Sequence, residues 1–377
     1  MRKYFAAWCL LFLCLLVSPA AEAKGTQLHA IWLPQIYTMG DKDGEHLLAY
    51  GNNRDVLSEA LTKKMQQLQS EGKLPFFLEF SKDIRMDNLR GNINMDIPIG
   101  VMPLVTLDQS MDTAYRAGDE WFYRSIVMSA LSLAICSAGD EQSSLRILGV
   151  VPMDGSSIVD EGVVHHEPFS KAAKADCYQR LTLKMFDGID FKGVARSLRD
   201  WQDKQVWPDT YQIVDVAISS EKARRVYHGK GRIIRNIVGN FYTTEYAKRT
   251  QRIILPPVLA GDVQQEMNEQ LYSFEVRSPT NTVRMEMEKP KYPITLDISG
   301  LASGEVARAR ESAVRRDVIY KAWLTKPPVE GKEQGKLDDY ITQQYLKSRD
   351  SESQVDESDL YTEVLIGLAK KMANQKR

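Results

Sequence analysis

The chain has 377 residues, 43% apolar and 26% charged, with a formal net charge of −1. That composition supplies enough core-forming side chains to exclude wholesale disorder, and its near-neutral charge excludes a general nucleic-acid binder. The length suffices for two ordinary domains with a large core.

Residues 1–23 read as a secretory signal. Arg2 and Lys3 form a positive end, and Phe5 to Val17 carries no charge. Ser18-Pro19 breaks that run, and Ala21-Glu22-Ala23 offers small residues to a signal peptidase. The uncharged run is shorter than the roughly 20 residues a helix needs to span a bilayer. Cleavage near Lys24 is therefore expected, leaving a periplasmic or secreted chain. Losing Arg2, Lys3 and Glu22 moves the formal charge from −1 to −2. No later run is apolar enough for a transmembrane helix. Cys9 and Cys14 leave with the signal, so Cys136 and Cys177 remain. In an oxidising compartment that pair predicts one disulfide.

In chain order, Leu28 to Tyr37 is β-rich, with Pro34 suited to an edge or a bulge. A helix is expected from Asn53 as its cap, with Leu57, Leu61, Met65 and Leu68 as its apolar stripe and Gly72 as its left-handed stop. Leu74 to Phe80, Ile93 to Ile97 and Ile99 to Leu107 are strand candidates. Phe122 to Cys136 and Leu145 to Val151 read as a hairpin around a polar turn; a buried helix from Ser125 to Cys136 is the alternative. A helix over Ser170 to Met185 places Ala173, Cys177, Leu181 and Met185 on one face. Phe186 to Thr210 reads as a junction.

Beyond it, Tyr211 to Ile218 predicts a strand, Ser219-Ser220-Glu221 a helix start, and Ile233 to Tyr246 a helix. Ile253 to Val258 is expected as a short strand. Asp262 is expected to cap a helix carrying Met267, Leu271 and Phe274 inward. Thr282 to Met287 alternates as a strand does, with Val283, Met285 and Met287 on one face. Ile294 to Ile298 and Asp317 to Leu324 are further strands, and Tyr340 to Leu346 a short helix. Asp350 to Asp359 is acidic. An amphipathic helix from Leu360 to Met372 follows, with the stripe Tyr361, Val364, Leu365, Leu368 and Met372, and it is expected to dock on a body or a partner. The expected fold is α+β with two domains, each mixing antiparallel strands with packed helices. Their spans are 24–190 and 211–349, with a junction at 191–210 and the acidic segment and terminal helix at 350–377.

The chemistry is sparse. There is no phosphate loop, dinucleotide fingerprint, nucleophile elbow or zinc-protease helix, so no cofactor or metal is expected and no catalytic residue is assigned. Ser-x-x-Lys occurs at Ser70-Lys73 and at Ser219-Lys222, without the companion motifs of penicillin-recognising enzymes. His165-His166-Glu167 reads as a solvated loop. The most informative stretch is basic. From Lys222 to Arg252 the chain is locally basic: Lys222, Arg224, Arg225, Lys230, Arg232, Arg235, Lys248, Arg249 and Arg252 face only Glu221 and Glu245. Arg224, Arg225, Lys230, Arg232 and Arg235 are the candidate contacts for an anionic partner, an envelope protein or an anionic envelope polymer. Arg308, Arg310, Arg315 and Arg316 are candidates for the same surface. The expected role is an exported binding or assembly component of the cell envelope without its own catalysis. The competing reading is a hydrolase whose site is assembled from distant residues.

Overall fold

The computed structural model shows an α+β protein. It describes residues 28–39, 47–80, 99–117, 120–138, 144–153, 158–160, 167, 169–195, 198, 210–250, 252–257, 264–265, 271–279, 282–310, 313–326, 335–346 and 357–375. The signal-like segment, the strand expected at Ile93 to Ile97 and the His165-His166 pair lie outside them.

Strand β1 (His29–Trp32) stops before Pro34, and β2 (Tyr37–Met39) starts after it. Proline lacks the amide a ladder needs, and here it separates two short strands. Helix α1 (Asn53–Ser70) buries the four stripe residues, and Gly72 adopts φ +67° as a helix stop should. Asn53 is not the cap, because Asn52 precedes the helix. The Asn53 amide instead lies inside, donating to Leu47 O (3.0 Å) and Ala175 O (2.9 Å) and accepting from Gln179 Nε2 (2.9 Å). Strand β3 (Phe77–Glu79) follows.

Strands β4 (Ile99–Ala117) and β5 (Glu120–Ala138) form a hairpin with 19 residues in each strand, and β6 (Ser144–Pro152) returns along β5. The hairpin reading of this region holds and the helical alternative does not. Strand β7 (Ile158–Asp160) pairs with β5 farther along. Helix α2 (Lys171–Met185) is capped by Ser170, whose Oγ accepts from Ala173 N.

The second half supplies β8 (Tyr211–Ala217), α3 (Glu221–Val226) capped by Ser220, and α4 (Gly231–Thr250). Strands β9 (Gln264–Gln265), β10 (Leu271–Arg277), β11 (Thr282–Glu288), β12 (Tyr292–Arg310), β13 (Ala313–Lys326) and β14 (Gly335–Leu346) lead to the terminal helix α5 (Glu357–Ala373).

Pairing joins β4, β2, β10, β11, β6 and β5 into a ring, because β5 pairs back with β4. The six strands close a barrel and so remove their sheet edges. Its interior is read from alternation. Met102 and Leu104 of β4, Ala134 and Cys136 of β5, Ile147 and Val150 of β6, Val276 of β10 and Met285 of β11 form one buried cluster. Their strand neighbours Val101, Val105, Leu133, Ile135 and Leu148 face outward into a second cluster with α1 and α2. The four-stranded sheet β14-β13-β12-β8 stands apart from the ring. Between it and the distal part of the β4–β5 hairpin lies a third cluster, built on α4 and α5 and joined by Leu107, Ile126 and Met128. One hairpin thus contributes to all three cores.

Several expectations are corrected here. Strands β10 and β11, from the second half of the chain, complete the barrel with strands of the first half. The stretch expected as a helix inward of Asp262 contains β9 and β10. Phe274 and Val276 alternate into the barrel, which overrides the helical spacing of Met267, Leu271 and Phe274. Tyr340 to Leu346 is strand, paired with β13, and Ile254 makes only an isolated bridge to Tyr211.

The expected Cys136–Cys177 disulfide is also corrected: both cysteines are buried and no disulfide joins them. Cys136 lies inside the barrel, while Cys177 sits on α2 in the cluster outside it. The two thiols therefore face different cores. Burial pushes the Cys136 thiol far above its ordinary range, which keeps it protonated and unreactive. The expected outcome of a thiol titration on the chain beginning at Lys24 is two groups after denaturation without reductant. Almost no reaction is expected in the native state at pH 8. Finding no thiol after denaturation would restore the bridge.

Among the described residues, no helix is long and apolar enough to cross a membrane.

Candidate interaction surface

The basic stretch folds as two helices joined by a tight turn. Ser220 starts α3, accepting from Ala223 N at 3.3 Å, and the helix stops after Val226. The chain then reverses through Gly229 at φ +73°, a left-handed conformation that glycine takes without steric cost. Lys230 follows, and α4 begins at Gly231.

This turn gathers four of the five candidate contacts. Arg224 and Arg225 are exposed on α3, Lys230 is exposed in the turn, and Arg232 is exposed in the first turn of α4. Arg224 Nη2 donates to Ser219 O at 3.2 Å, and Arg225 pairs with Glu221 at 3.4 Å across the helix surface. Both side chains of that pair are more than 70% exposed, so it is a weak and displaceable contact. Arg235 is half-buried, and its Nε is shielded without a hydrogen-bond acceptor. It belongs to the packing of α4 more than to the surface.

The remaining cations do not join this group. Lys248, Arg249 and Arg252 lie at the opposite end of α4, a helix of 20 residues and hence about 30 Å long. There Lys248 pairs with Glu245 at 3.6 Å, Arg249 lies over the Tyr246 ring and bonds Gln375 O, and Arg252 lies over the Tyr211 ring and bonds its hydroxyl. One basic stretch in sequence is therefore two basic groups in space.

The turn is held against α5. Lys230 Nζ donates to Ser358 Oγ at 3.0 Å, and Tyr227 Oη lies 3.3 Å from Ser358 O and 3.2 Å from Thr362 Oγ1. Lys222 Nζ donates to Tyr361 Oη at 2.8 Å and to Ser303 Oγ on β12 at 3.2 Å. The same contacts dispose of the Ser219-Lys222 motif. Ser219 Oγ donates to Asp297 Oδ2 at 2.6 Å, and the lysine turns to other partners. Ser70 Oγ likewise donates to Gln67 O while Lys73 pairs with Glu71. Neither serine carries a lysine base.

Sequence reading missed a polar seam between α2 and the β4–β5 hairpin. Lys174, Tyr178 and Thr182 repeat at a spacing of four and are buried on α2. Opposite them, register places Asp108 beside Ser129 and Asp112 beside Ser125 on one face of the hairpin. Lys174 Nζ bonds Asp112 Oδ2, Ser125 Oγ donates to Asp112 Oδ1, and Ser129 Oγ lies 3.1 Å from Thr182 Oγ1. Asp108 Oδ2 accepts from Leu48 N at 3.0 Å, and Arg54 of α1 bonds Ile36 O nearby. Burial pulls the Arg54 guanidinium below its ordinary range, and the charge of Asp108 offsets part of that shift. Burial likewise pushes the Tyr178 phenol up. The signal in the sequence was the Lys-x-x-x-Tyr-x-x-x-Thr spacing beside an apolar stripe.

Among the described residues, no group of three or more His, Cys, Asp or Glu side chains is placed to hold a metal ion. No family model, curated protein or solved structure matches the chain.

Proposed function

We propose that the protein is an exported component of the cell envelope that binds an anionic partner, an envelope protein or polymer, and acts in assembly without catalysis of its own. The signal-like residues 1–23 supply the address. The observation that carries the reading is the exposed group Arg224, Arg225, Lys230 and Arg232 around the left-handed Gly229, with Glu221 as the nearby acid. The first amides of a 20-residue helix open beside these cations, and both features favour negative charge at the same place. We read the barrel with α1 and α2, and the four-stranded sheet with α3 to α5, as two units of the protein, with β10 and β11 lent to the first.

The expected outcome of reversing Arg224, Arg225 and Arg232 to glutamate together is a loss of binding of at least ten-fold to envelope fractions at low salt. The parent's binding should weaken steeply as ionic strength rises, since exposed charges are screened beyond about 10 Å at 0.1 M salt. The check is co-sedimentation of both proteins across a salt series, with unfolding curves to show that the triple variant is folded. Equal binding with equal salt dependence would reduce the turn to a solvated surface.

A further inference from the structure

At the end of α4 far from the Gly229 turn, four tyrosines stand in a row. Tyr211 opens β8 and Tyr292 opens β12. The two are register partners, and their rings stack with centroids 4.6 Å apart. The Tyr246 ring of α4 follows at 5.5 Å from Tyr211. Tyr242, one helical turn earlier, stacks on Tyr246 at 5.7 Å. Tyr211, Tyr242 and Tyr246 are buried, while Tyr292 is 38% exposed and forms the end of the row that solvent reaches.

Each ring carries a cation over it. Lys291 Nζ lies 5.6 Å from the Tyr292 centroid, and the Arg252 guanidinium lies 5.1 Å from that of Tyr211. Arg249 lies 5.5 Å from Tyr246, and Lys326 lies 5.8 Å from Tyr242. An aromatic face attracts positive charge within about 6 Å. A guanidinium held against a ring keeps further N–H donors on its edge. Lys291, Arg252 and Arg249 are exposed. Three successive rings thus hold three exposed cations beside one exposed aromatic face.

We propose that this ladder is a binding site for an acidic polysaccharide, a chain of sugar acids with one carboxylate on each ring. Tyr292 is fixed by its stack on Tyr211 and offers a flat apolar face to a sugar ring. Arg252 and Arg249 offer paired donors that match the two oxygens of a carboxylate. Cations on successive rungs call for charges on successive units, which a polymer supplies and a single small anion does not. A polyanion without rings leaves Tyr292 unused, and the near-neutral charge of the chain disfavours a nucleic-acid strand. The site shares no residue with the Gly229 turn and stands at the other end of a 20-residue helix, so it does not rest on that reading.

The test uses the chain from Lys24, in the parent and in the Arg224, Arg225 and Arg232 triple variant, so that loss at the ladder is not confused with loss at the turn. The probe is an oligomer of polygalacturonate, followed by titration calorimetry across a salt series. Dextran supplies sugar without charge, polyglutamate supplies charge without sugar, and an oligo-dT supplies a nucleic-acid strand. The galacturonate oligomer should bind both backgrounds equally, more weakly as salt rises, and about ten-fold or more tightly than each of the other three. R249Q/R252Q should cut its affinity about ten-fold or more and flatten the salt dependence. Tyr292→Ala should cut the affinity several-fold at an unchanged salt dependence. The proposal is overturned if the parent does not bind the oligomer, or if any of the other three polymers binds as tightly. Loss of binding in the triple variant overturns it too, by placing the polymer at the turn. So does a folded R249Q/R252Q variant that binds as the parent does. Tyr292 is exposed, so Tyr292→Ala decides the matter even where the double variant fails to fold: parent-like affinity in it overturns the proposal.

Discussion

Replacing Leu365 by alanine is expected to cost about 2–5 kcal/mol of stability, the range for removing a fully enclosed leucine from a core. Leu365 is 0% exposed, and its helix is buried on nearly every side. Leu360, Tyr361, Val364, Ile366, Leu368 and Ala369 all join the same cluster as α4 and the sheet residues Ile298, Tyr320 and Leu324. A helix that is apolar around its whole circumference belongs inside a protein, and α5 packs against α4 on one side and against β13 and β14 of the sheet on another. Truncation there leaves a cavity that neither neighbour can fill without shifting. Urea unfolding of the variant should show a lower midpoint at an unchanged slope. Lys371→Ala, an exposed change on the same helix, should stay within about 0.5 kcal/mol. A Leu365→Ala loss no larger than that of Lys371→Ala would mean that α5 is not part of the core.

The second large effect is expected at Asp108. Removing one partner of a buried charged group leaves the other uncompensated, at about 3–5 kcal/mol when burial is complete. Arg54 is only partly buried, so Asp108→Ala should lose somewhat less, roughly 2–4 kcal/mol. Two losses combine there. The Leu48 amide loses its acceptor inside the protein, and Arg54 keeps its desolvation without the nearby negative charge. Asp108→Asn retains an oxygen for Leu48 N and removes only the charge. It should therefore fall between the parent and the alanine variant. Calorimetry of the three proteins measures the order. An asparagine variant as stable as the parent would show that the charge of Asp108 is not what stabilises Arg54.

The local patterns were legible wherever one periodicity stood alone. The α1 stripe of Leu57, Leu61, Met65 and Leu68 is buried as its spacing requires, and Val283, Met285 and Met287 enter the barrel on one face of β11. Ser170 and Ser220 cap the helices they precede. Patterns failed where two periods competed. Leu271 and Phe274 fit a helical stripe, yet Phe274 and Val276 fit a strand equally well. Local sequence does not weigh one against the other, because the winning energy comes from β2 and β11, distant in the chain. The candidate surface was legible as a basic stretch, but its division was not. A linear count of cations carries no information on the length of the helix that holds Arg232 and Lys248 apart.

By itself, then, the sequence determined the α+β content, the apolar stripe and stop of α1, the span of α2, the start of α3, and the docking of the terminal helix on a body. These follow from spacing, capping and turn chemistry, which act within a few residues. Only the tertiary structure decided that β10 and β11 close a barrel with N-terminal strands, and that one hairpin feeds three cores. It also decided that Cys136 and Cys177 face different cores. The β5 segment from Ser125 to Cys136 is buried on both faces, so its residue types do not reveal which face looks where. Strand partners are chosen by contacts far apart in the chain, and that choice fixes the side on which every residue of β5 lies.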